Sequence, residues 1–427
     1  MEFQKISETL LKKIHPLKTR VRKIDKLHNL LIDDKLQSLI KPLHLILAIQ
    51  LLPKYTIKHN FISTTGIFSK IATLFGVILR ILPFLCRIFL DFFGNASYEF
   101  VILVIFIDGS FYCFGLIIVG LFNIFLTEVS VQCILKTHDV HKLLYDKFFF
   151  KYFVFFDWLF ICFIFIIYLI DTTINFHLDT PMFITVCNAM LFCVDANMIY
   201  SIRFVNMLEC YASSWNNKML SPPSSKLKYE KMCNVYNDIL KSYKLFVKSS
   251  QHWILYHTIE TCIHGLIDLQ FFILLALKHV NIPVSLFLNQ LWVVKNILLQ
   301  TLLGSSCEMF YSALETCQDS CVIILKSNCT DGEKKMCKNI LRLHETHFRK
   351  IKVFRLLPID AGILVLIIEF LTVNTLILLQ FTFLQTWFDD LIVKEGLSYS
   401  DNIKSSKVLL NFSTIEIVNS TESGIVL

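Results

Sequence analysis

The chain has 427 residues, of which 55% are hydrophobic and 18% are charged, and its formal net charge is +7. Soluble domains are about 45–50% apolar, so this composition excludes an ordinary soluble enzyme or binding module. The charges gather between long apolar runs, so the basic excess indicates membrane orientation and not a nucleic-acid interface.

The amino-terminal segment, residues 1–65, is predicted to be cytoplasmic. Its first 37 residues carry many charges and no apolar core, which is not the pattern of a signal peptide. The apolar stretch 42–53 lies between Pro42 and Pro53 and is too short to cross a bilayer, which needs about 20 residues. We therefore expect a short interfacial helix there.

Seven longer apolar stretches predict an all-α membrane protein with seven transmembrane helices. The stretches are 66–90, 99–126, 150–170, 181–205, 257–278, 282–304 and 361–385. The first six form a predicted bundle within residues 66–304, and the seventh follows separately.

Lys and Arg are distributed unevenly between the connecting segments. Four segments hold 32 of the 41 basic residues: 1–65, 127–151, 206–256 and 305–355. Three alternate loops hold none: 91–98, 171–180 and 279–281. The excess of Lys and Arg on cytoplasmic loops then predicts an inside amino terminus and, after seven crossings, an outside carboxyl terminus.

The predicted outside segments also contain glycosylation acceptors. Asn-x-Ser/Thr sequons occur at Asn95, Asn411 and Asn419, the last two in the predicted extracellular tail 386–427. We expect glycosylation at these three positions.

The two long inside connections keep apolar residues at helical spacing. The loop 206–256 and the region 305–360 are therefore predicted to extend helices below the membrane, where they pack on one another as a cytoplasmic anchor. Cys317 and Cys321, four residues apart, suggest a metal site, but no further Cys or His completes a tetrahedral set at the usual spacing. Reduced thiols on a structural helix are the favoured interpretation, and we expect no metal and no cofactor.

The last span carries a family resemblance. Residues 376–381, LILLQF, fit a signature of apolar residues followed by Gln-Phe, and Asp360 precedes the signature at the family's distance. Val373 and Asn374 stand where the family usually has Thr and Tyr. The chain resembles a divergent insect gustatory receptor of the seven-transmembrane chemoreceptor superfamily.

The resemblance implies a ligand-gated, non-selective cation channel of the plasma membrane. It implies a homo- or hetero-tetramer joined through the cytoplasmic helices, with the seventh helix, 361–385, lining one pore. It further implies that the bundle within 66–304 binds a small-molecule tastant in a pocket open to the outside.

A polar stripe on the seventh helix is the predicted pore surface. Glu369, Thr372, Leu376 and Gln380 fall within about 80° of one another on an α-helix. A ring of Glu369 side chains concentrates cations, and Leu376 with Gln380 and Phe381 forms the expected gate. The alternative is that Glu369 pairs with a base on a neighbouring helix and Gln380 bonds an adjacent backbone group.

Ionisable residues inside the predicted spans require partners or a function. Arg80 and Asp108 lie at similar predicted depth, so we expect an ion pair, with a ligand contact as the alternative. The same two alternatives apply to Asp268 and Lys295. Asp157 and Asp195 lie near the inner ends of their predicted spans.

Lys151 and Arg203 are available there, and we expect structural pairing or snorkelling of these side chains. Four aromatic residues in the spans are pocket candidates, although 39 phenylalanines make packing the commoner role for any ring. The candidates are Phe111, Tyr112, Trp158 and Trp292.

Other classes of protein fit this sequence less well. No P-loop, HExxH or GxSxG motif occurs, and no enzyme activity is predicted. A G-protein-coupled receptor normally has the opposite topology, and a secondary transporter normally shows internal repeats and broken helices. An odorant receptor-type subunit remains the nearest alternative.

Overall fold

The computed structural model describes residues 31–94, 99–144, 147–177, 182–220, 226–277, 284–353, 357–381 and 383–384, and these are mostly α-helical. A helix satisfies its backbone hydrogen bonds internally, as lipid requires, so long apolar runs form long helices. In chain order the helices are α1 (Asp34–Ile49), α2 (Ile67–Gly94), α3 (Glu99–Phe125), α4 (Thr127–Leu144), α5 (Lys147–His177), α6 (Met182–Met190), α7 (Phe192–Leu220), α8 (Lys226–Leu277), α9 (Val284–Lys326), α10 (Asp331–His347) and α11 (Ile363–Phe381). Two antiparallel hairpins accompany them: β1–β2 (Thr56–Lys58, Phe61–Ser63) and β3–β4 (Lys352–Val353, Leu357–Pro358).

Among the described residues, five helical segments are long and apolar enough to cross a membrane. They are Ile67–Phe89, Phe106–Phe125, Lys151–His177, Thr185–Leu220 and Ile363–Phe381. The chain is therefore an all-α membrane protein. The predicted fifth and sixth spans, 257–278 and 282–304, form parts of α8 and α9 and are not among the five, so the seven-crossing count stays a prediction.

α1 is longer than the interfacial helix expected at 42–53. It begins at Asp34 and ends at Ile49, so Pro42 lies inside it. A proline removes one backbone hydrogen bond from a helix interior. The buried side chains of Leu39 and Leu43 hold α1 against the core on either side of that position.

The connection predicted at 127–151 contains a helix that the sequence analysis missed. α3 and α4 are separated only by a turn at Leu126, and the Thr127 hydroxyl bonds back to the carbonyl of Asn123 at 2.8 Å. α4 then packs along α8, where the hydroxyls of Thr137 and Ser242 lie 2.7 Å apart.

The predicted fourth span, 181–205, is interrupted at Leu191, which separates α6 from α7. The amides of Leu191 and Val194 bond to carbonyls three residues back, those of Asn188 and Leu191, at 3.1 and 2.9 Å. This spacing is that of a 3₁₀ turn.

α8 and α9 continue well beyond the predicted spans, and the described residues of 206–256 are helical, as expected. The region 305–360 is helical only as far as His347, with a break at 327–330, and then forms the β3–β4 hairpin. We call α4, the first half of α8, the second half of α9 and α10 the helical anchor. Polar side chains join α8 to its neighbours: the Tyr236 hydroxyl lies 2.7 Å from Nδ1 of His344 on α10, and the indole of Trp215 on α7 donates to the carbonyl of Met232 at 2.9 Å.

α11 packs on the bundle through one buried stripe, formed by Ile363, Ile367 and Leu371. Two glycines permit the close approach. A Cβ on Gly265 of α8 would lie 2.9 Å from the end of the Leu371 side chain, and a Cβ on Gly304 of α9 would overlap the carbonyl oxygen before α11.

Candidate functional site

A stripe of buried polar side chains runs along one face of α8. His257, Glu260, His264 and Asp268 follow one another at intervals of three or four residues, which places them on one side of the helix. Each is at most 9% exposed. Buried polar groups in a membrane bundle need partners or a cavity, so the surroundings of this stripe define the candidate site.

One end of the stripe meets a carboxylate and an ammonium whose charges balance. We call this group, formed by Asp195, Lys295, Tyr168, His257 and Trp292, the Asp195 cluster. Asp195 of α7 pairs with Lys295 of α9 and accepts a 2.7 Å hydrogen bond from the hydroxyl of Tyr168. Nε2 of His257 lies 3.7 Å from the other carboxylate oxygen. The Lys295 ammonium lies 3.4 Å from the centroid of the Trp292 ring, a cation–π contact.

Two amide side chains of α9 continue the network along the stripe. The Asn296 amide donates to the Glu260 carboxylate at 3.3 Å, and Nε2 of Gln300 lies 2.8 Å from Nδ1 of His257. No Lys, Arg or His side chain in the described part of the chain lies within ion-pair distance of Glu260. At the centre of the stripe, the α9 groups that bond to it are therefore uncharged amides.

The other end of the stripe meets the Asp108 cluster, formed by Asp108, Arg87, His264, Tyr112 and Asp268. Asp108 of α3 lies 3.1 Å from Nδ1 of His264 and 3.9 Å from Nη1 of Arg87 on α2. Tyr112 stacks on the His264 imidazole, with ring centroids 4.6 Å apart. Asp268 lies within electrostatic range of both His264 and Asp108.

A second aromatic pair borders the Asp108 cluster. Phe111 stacks on Tyr256 at 5.3 Å between centroids and meets His264 edge-on at 6.2 Å. A Cβ on Gly115 would overlap the Tyr256 ring, so the absence of a side chain there makes room for that ring. The buried Tyr256 hydroxyl has no hydrogen-bond partner in the described structure.

The predicted Arg80–Asp108 pair is wrong. Arg80 instead donates to the backbone and side-chain oxygens of Gln50, just after α1, and Asp108 takes Arg87 and His264 as partners.

The register of α2 against α3 explains this difference. A Cβ on Gly109 would lie 2.8 Å from Ile88, and one on Gly120 would overlap Val77. The antiparallel helices therefore bring Asp108 level with residues 87–88. Arg80 lies about two helical turns further along.

The other predicted charges also have definite positions. Arg203, one of the two bases available to Asp157, pairs with it, and Lys295 pairs with Asp195 and not with Asp268. Lys151 is exposed.

Three of the four aromatic pocket candidates lie beside the α8 stripe. Phe111 and Tyr112 border His264, and Trp292 covers Lys295. Trp158 is 41% exposed, and none of the described contacts joins it to either cluster.

Several residues of the two clusters and of the network around them were not predicted from the sequence. They are Arg87, Tyr168, Tyr256, His257, Glu260, His264, Asn296 and Gln300. The three-to-four-residue spacing of polar residues along 257–268 is a signal that finds His257, Glu260 and His264. The partners on α2, α5 and α9 follow only from tertiary packing.

The predicted pore residues lie on the exposed part of α11. Glu369, Thr372, Leu376 and Gln380 are exposed, on the face roughly opposite to the buried stripe, and Phe381 is 67% exposed. Glu369 forms no ion pair with a described residue, and the Thr372 hydroxyl bonds to its own helix at 2.8 Å.

No cluster of three or more His, Cys, Asp or Glu side chains in the described chain is arranged to hold a metal ion. The thiol of Cys317 bonds to the carbonyl of Ala212 at 3.4 Å, as a packed structural cysteine does. The predicted glycosylation sites Asn95, Asn411 and Asn419 lie outside the described residues.

Comparison with known proteins adds no assignment. No protein-family model matches the chain, and a search of the curated proteins finds no match.

Proposed function

We propose that the chain is a gustatory-type chemoreceptor: a ligand-gated, non-selective cation channel of the plasma membrane that detects small-molecule tastants. The observation that carries the proposal is the exposed polar stripe of α11. Glu369, Thr372 and Gln380 are exposed on this largely apolar helix, opposite the face that packs on α8 and α9. The other polar side chains of α11, those of Asn374 and Thr375, bond to carbonyl groups of the helix itself. Polar side chains facing lipid are costly, so such a stripe calls for a water-filled surface.

Four copies arranged around α11 supply that surface, in a homo- or hetero-tetramer. Four Glu369 carboxylates would attract permeating cations, while Leu376 and Phe381 would close the pore by excluding water. The resemblance of the last span to insect gustatory receptors supports this arrangement.

The pore is tested by separate Glu369→Gln and Gln380→Ala variants, recorded as whole-cell current. Glu369→Gln should lower the permeability of divalent relative to monovalent cations, and Gln380→Ala should change the resting leak. Asn374→Ala is the matched control because Asn374 lies on the packed side of α11, where its amide bonds to the carbonyl of Phe370 at 2.7 Å. If both pore variants behave like the control, α11 does not line the pore.

The proposed topology has seven crossings, an inside amino terminus and an outside carboxyl tail. Glycosidase should then shift the mass of the protein through Asn411 and Asn419, and the Asn→Gln variants should remove the shift. An amino-terminal epitope stripped by protease on intact cells, with the carboxyl-terminal one retained, contradicts the topology.

The helical anchor is the proposed contact between subunits. In its α9 half, Met309, Val322 and Ile323 are exposed apolar side chains. Charged replacements at Met309 and Ile323 should abolish tetramers on native gels, whereas Lys338→Asp on the exposed face of α10 should not. If tetramers persist after the replacements at Met309 and Ile323, the contact between subunits lies elsewhere.

A secondary transporter is the second candidate, because one observation favours it. The interruption at Leu191 lies one helical turn from the buried Asp195–Lys295 pair, and broken helices beside buried charges are typical of transporters. Single-channel openings support the channel, whereas saturable counterflow of a labelled substrate without openings supports the transporter. An odorant receptor-type subunit shares the channel architecture and differs in responding to volatile ligands.

A further inference from the structure

Among the described residues, the Asp108 cluster has more carboxylates around it than Lys or Arg side chains. Three carboxylates lie along this part of the bundle, and Arg87 is the guanidinium beside them. The carboxylates are Asp108, Glu260 and Asp268. The Asp195 cluster, by comparison, has one carboxylate and one ammonium and is balanced.

Asp268 is the least compensated of the three. It is 9% exposed, and it forms neither a hydrogen bond nor an ion pair with any described residue. Its electrostatic neighbours are His264 and a second carboxylate, Asp108, which repels it when both are charged. Burying a carboxylate without a partner is costly, so this position favours a cation brought from outside the protein.

Aromatic rings lie beside the same three carboxylates. Tyr112 stacks on His264, and Phe111 stacks on Tyr256, so two ring pairs lie beside the carboxylates. Carboxylates alone do not distinguish an organic cation from a metal ion. The faces of aromatic rings attract organic cations. A hard metal ion such as Ca²⁺ requires six or more oxygen ligands, and the described residues offer no such group.

Two buried polar atoms near the carboxylates have no hydrogen-bond partner among the described residues. The first is the hydroxyl oxygen of Tyr256, which is 4% exposed, and the second is Nε2 of His264, which is 7% exposed. A carboxylate at 3.1 Å from Nδ1 of His264 favours a proton on Nδ1, and Nε2 is an acceptor in the neutral imidazole. With a neutral imidazole, each of the two atoms is able to accept a hydrogen bond from an ammonium group.

We propose that the Asp108 cluster binds a protonated amine with an apolar or aromatic body. The ammonium group bonds to Asp268 and Nε2 of His264, and the body of the ligand lies against the half-buried ring of Phe111. The buried Tyr112 ring is already packed between His264 and Phe84 and holds His264 in place. This inference rests on the proposed receptor function and names the chemical class of its ligand. A neutral ligand would leave the Asp268 carboxylate without a counter-charge.

The test is equilibrium binding to the purified full-length receptor in lipid nanodiscs. The probes are 2-phenylethylamine, tyramine and cyclohexylamine, each compared with the alcohol that replaces its amino group by hydroxyl. At least one amine should bind about tenfold or more tightly than its alcohol, because a hydrogen bond between charged groups is stronger than a neutral one. If no amine binds more tightly than its alcohol, the proposal is wrong.

Variants locate the site. Asp268→Asn should weaken amine binding by about tenfold, while Asp268→Glu should retain part of it. Asp171→Asn is the matched control, since this half-buried carboxylate of the same bundle accepts a bond from Asn188 and lies outside the Asp108 cluster. A thermal unfolding midpoint for each variant separates loss of binding from loss of folding. Unchanged amine binding by folded Asp268→Asn overturns the proposal.

Amine binding and ligand-evoked current are measured separately, and together they distinguish this inference from the proposed function. A receptor that binds an amine at Asp268 but passes no current in cells contradicts the channel and leaves the site standing. Currents evoked only by neutral ligands, with no amine binding, contradict the site and leave the channel standing.

Discussion

The hydroxyl of Tyr311 donates a 3.1 Å hydrogen bond to the carbonyl oxygen of Ile359, four residues before α11 begins. The same hydroxyl accepts the amide N–H of Ile351 at 3.0 Å, just before β3. One phenol of α9 therefore binds the chain on both sides of the β3–β4 hairpin. The helical anchor is thereby joined to the start of α11.

Tyr311→Phe should destabilise this junction. The substitution keeps the ring but leaves the buried N–H of Ile351 without its acceptor, at a cost of about 1–3 kcal/mol. We expect a lower thermal unfolding midpoint in detergent than for Ser312→Ala, a control at the exposed neighbouring position. Equal midpoints for the two variants would show that the hydroxyl is not needed.

Alanine at three glycines should destabilise the protein in a fixed order. A Cβ on Gly304 overlaps the backbone oxygen of Asp360, which cannot move without shifting the start of α11. A Cβ on Gly265 meets only the flexible end of Leu371, and one on Gly66 meets nothing within 4 Å. Unfolding midpoints should therefore fall most for Gly304→Ala, less for Gly265→Ala and least for Gly66→Ala; any other order contradicts the packing of α11.

Acid should weaken the helical anchor through His344. Burial lowers the pKa of this imidazole from its ordinary value of 6.5 to about 4, so the folded state holds it neutral while the unfolded chain protonates it. Its contribution to stability is complete above pH 6.5 and is lost as the pH falls towards 4. His344→Gln should flatten the decline of the unfolding midpoint between pH 7 and 5.

His347→Gln is the control for the pH series, because His347 lies on the same helix and is exposed. It should leave the pH dependence of the parent unchanged. Burial also lowers the pKa of His141 to about 4, so part of the decline should remain in His344→Gln. A slope identical to that of the parent in His344→Gln excludes His344 as a contributor.

The helices could be predicted from the sequence, but several of their partners could not. Apolar runs longer than a bilayer and apolar residues at helical spacing identify α2, α3, α5, α8, α9 and α11 without any tertiary information. α4 was missed because Thr137, His138 and His141 lie on its buried face, and their partners come from other elements. The β1–β2 hairpin turns at His59 and Asn60, both with positive φ, and such a short element has no periodic signal.

The Arg80–Asp108 pair was predicted wrongly for a geometric reason. Depth counted from the predicted ends of two spans pairs Arg80 with Asp108, but α2 continues to Gly94 and the contact of Ile88 with Gly109 sets another register. A shift of two helical turns changes which charges meet, because residues seven apart lie on the same helix face. Pairing thus depends on helix ends and register, which hydropathy does not determine.

The Asp195–Lys295 pair should show strong coupling in a double-mutant cycle. Among the described residues, Lys295→Met leaves the buried Asp195 carboxylate with Tyr168 and His257 as partners, and removing one partner of a buried pair costs about 3–5 kcal/mol. Asp195→Asn leaves the ammonium beside the rings of Tyr168 and Trp292, without the carboxylate. The double variant removes both charges, so its unfolding midpoint should lie above those of both single variants. Lys338→Met, at an exposed position of α10, should be nearly neutral. Additive losses in the double variant would mean that the two charges do not stabilise each other.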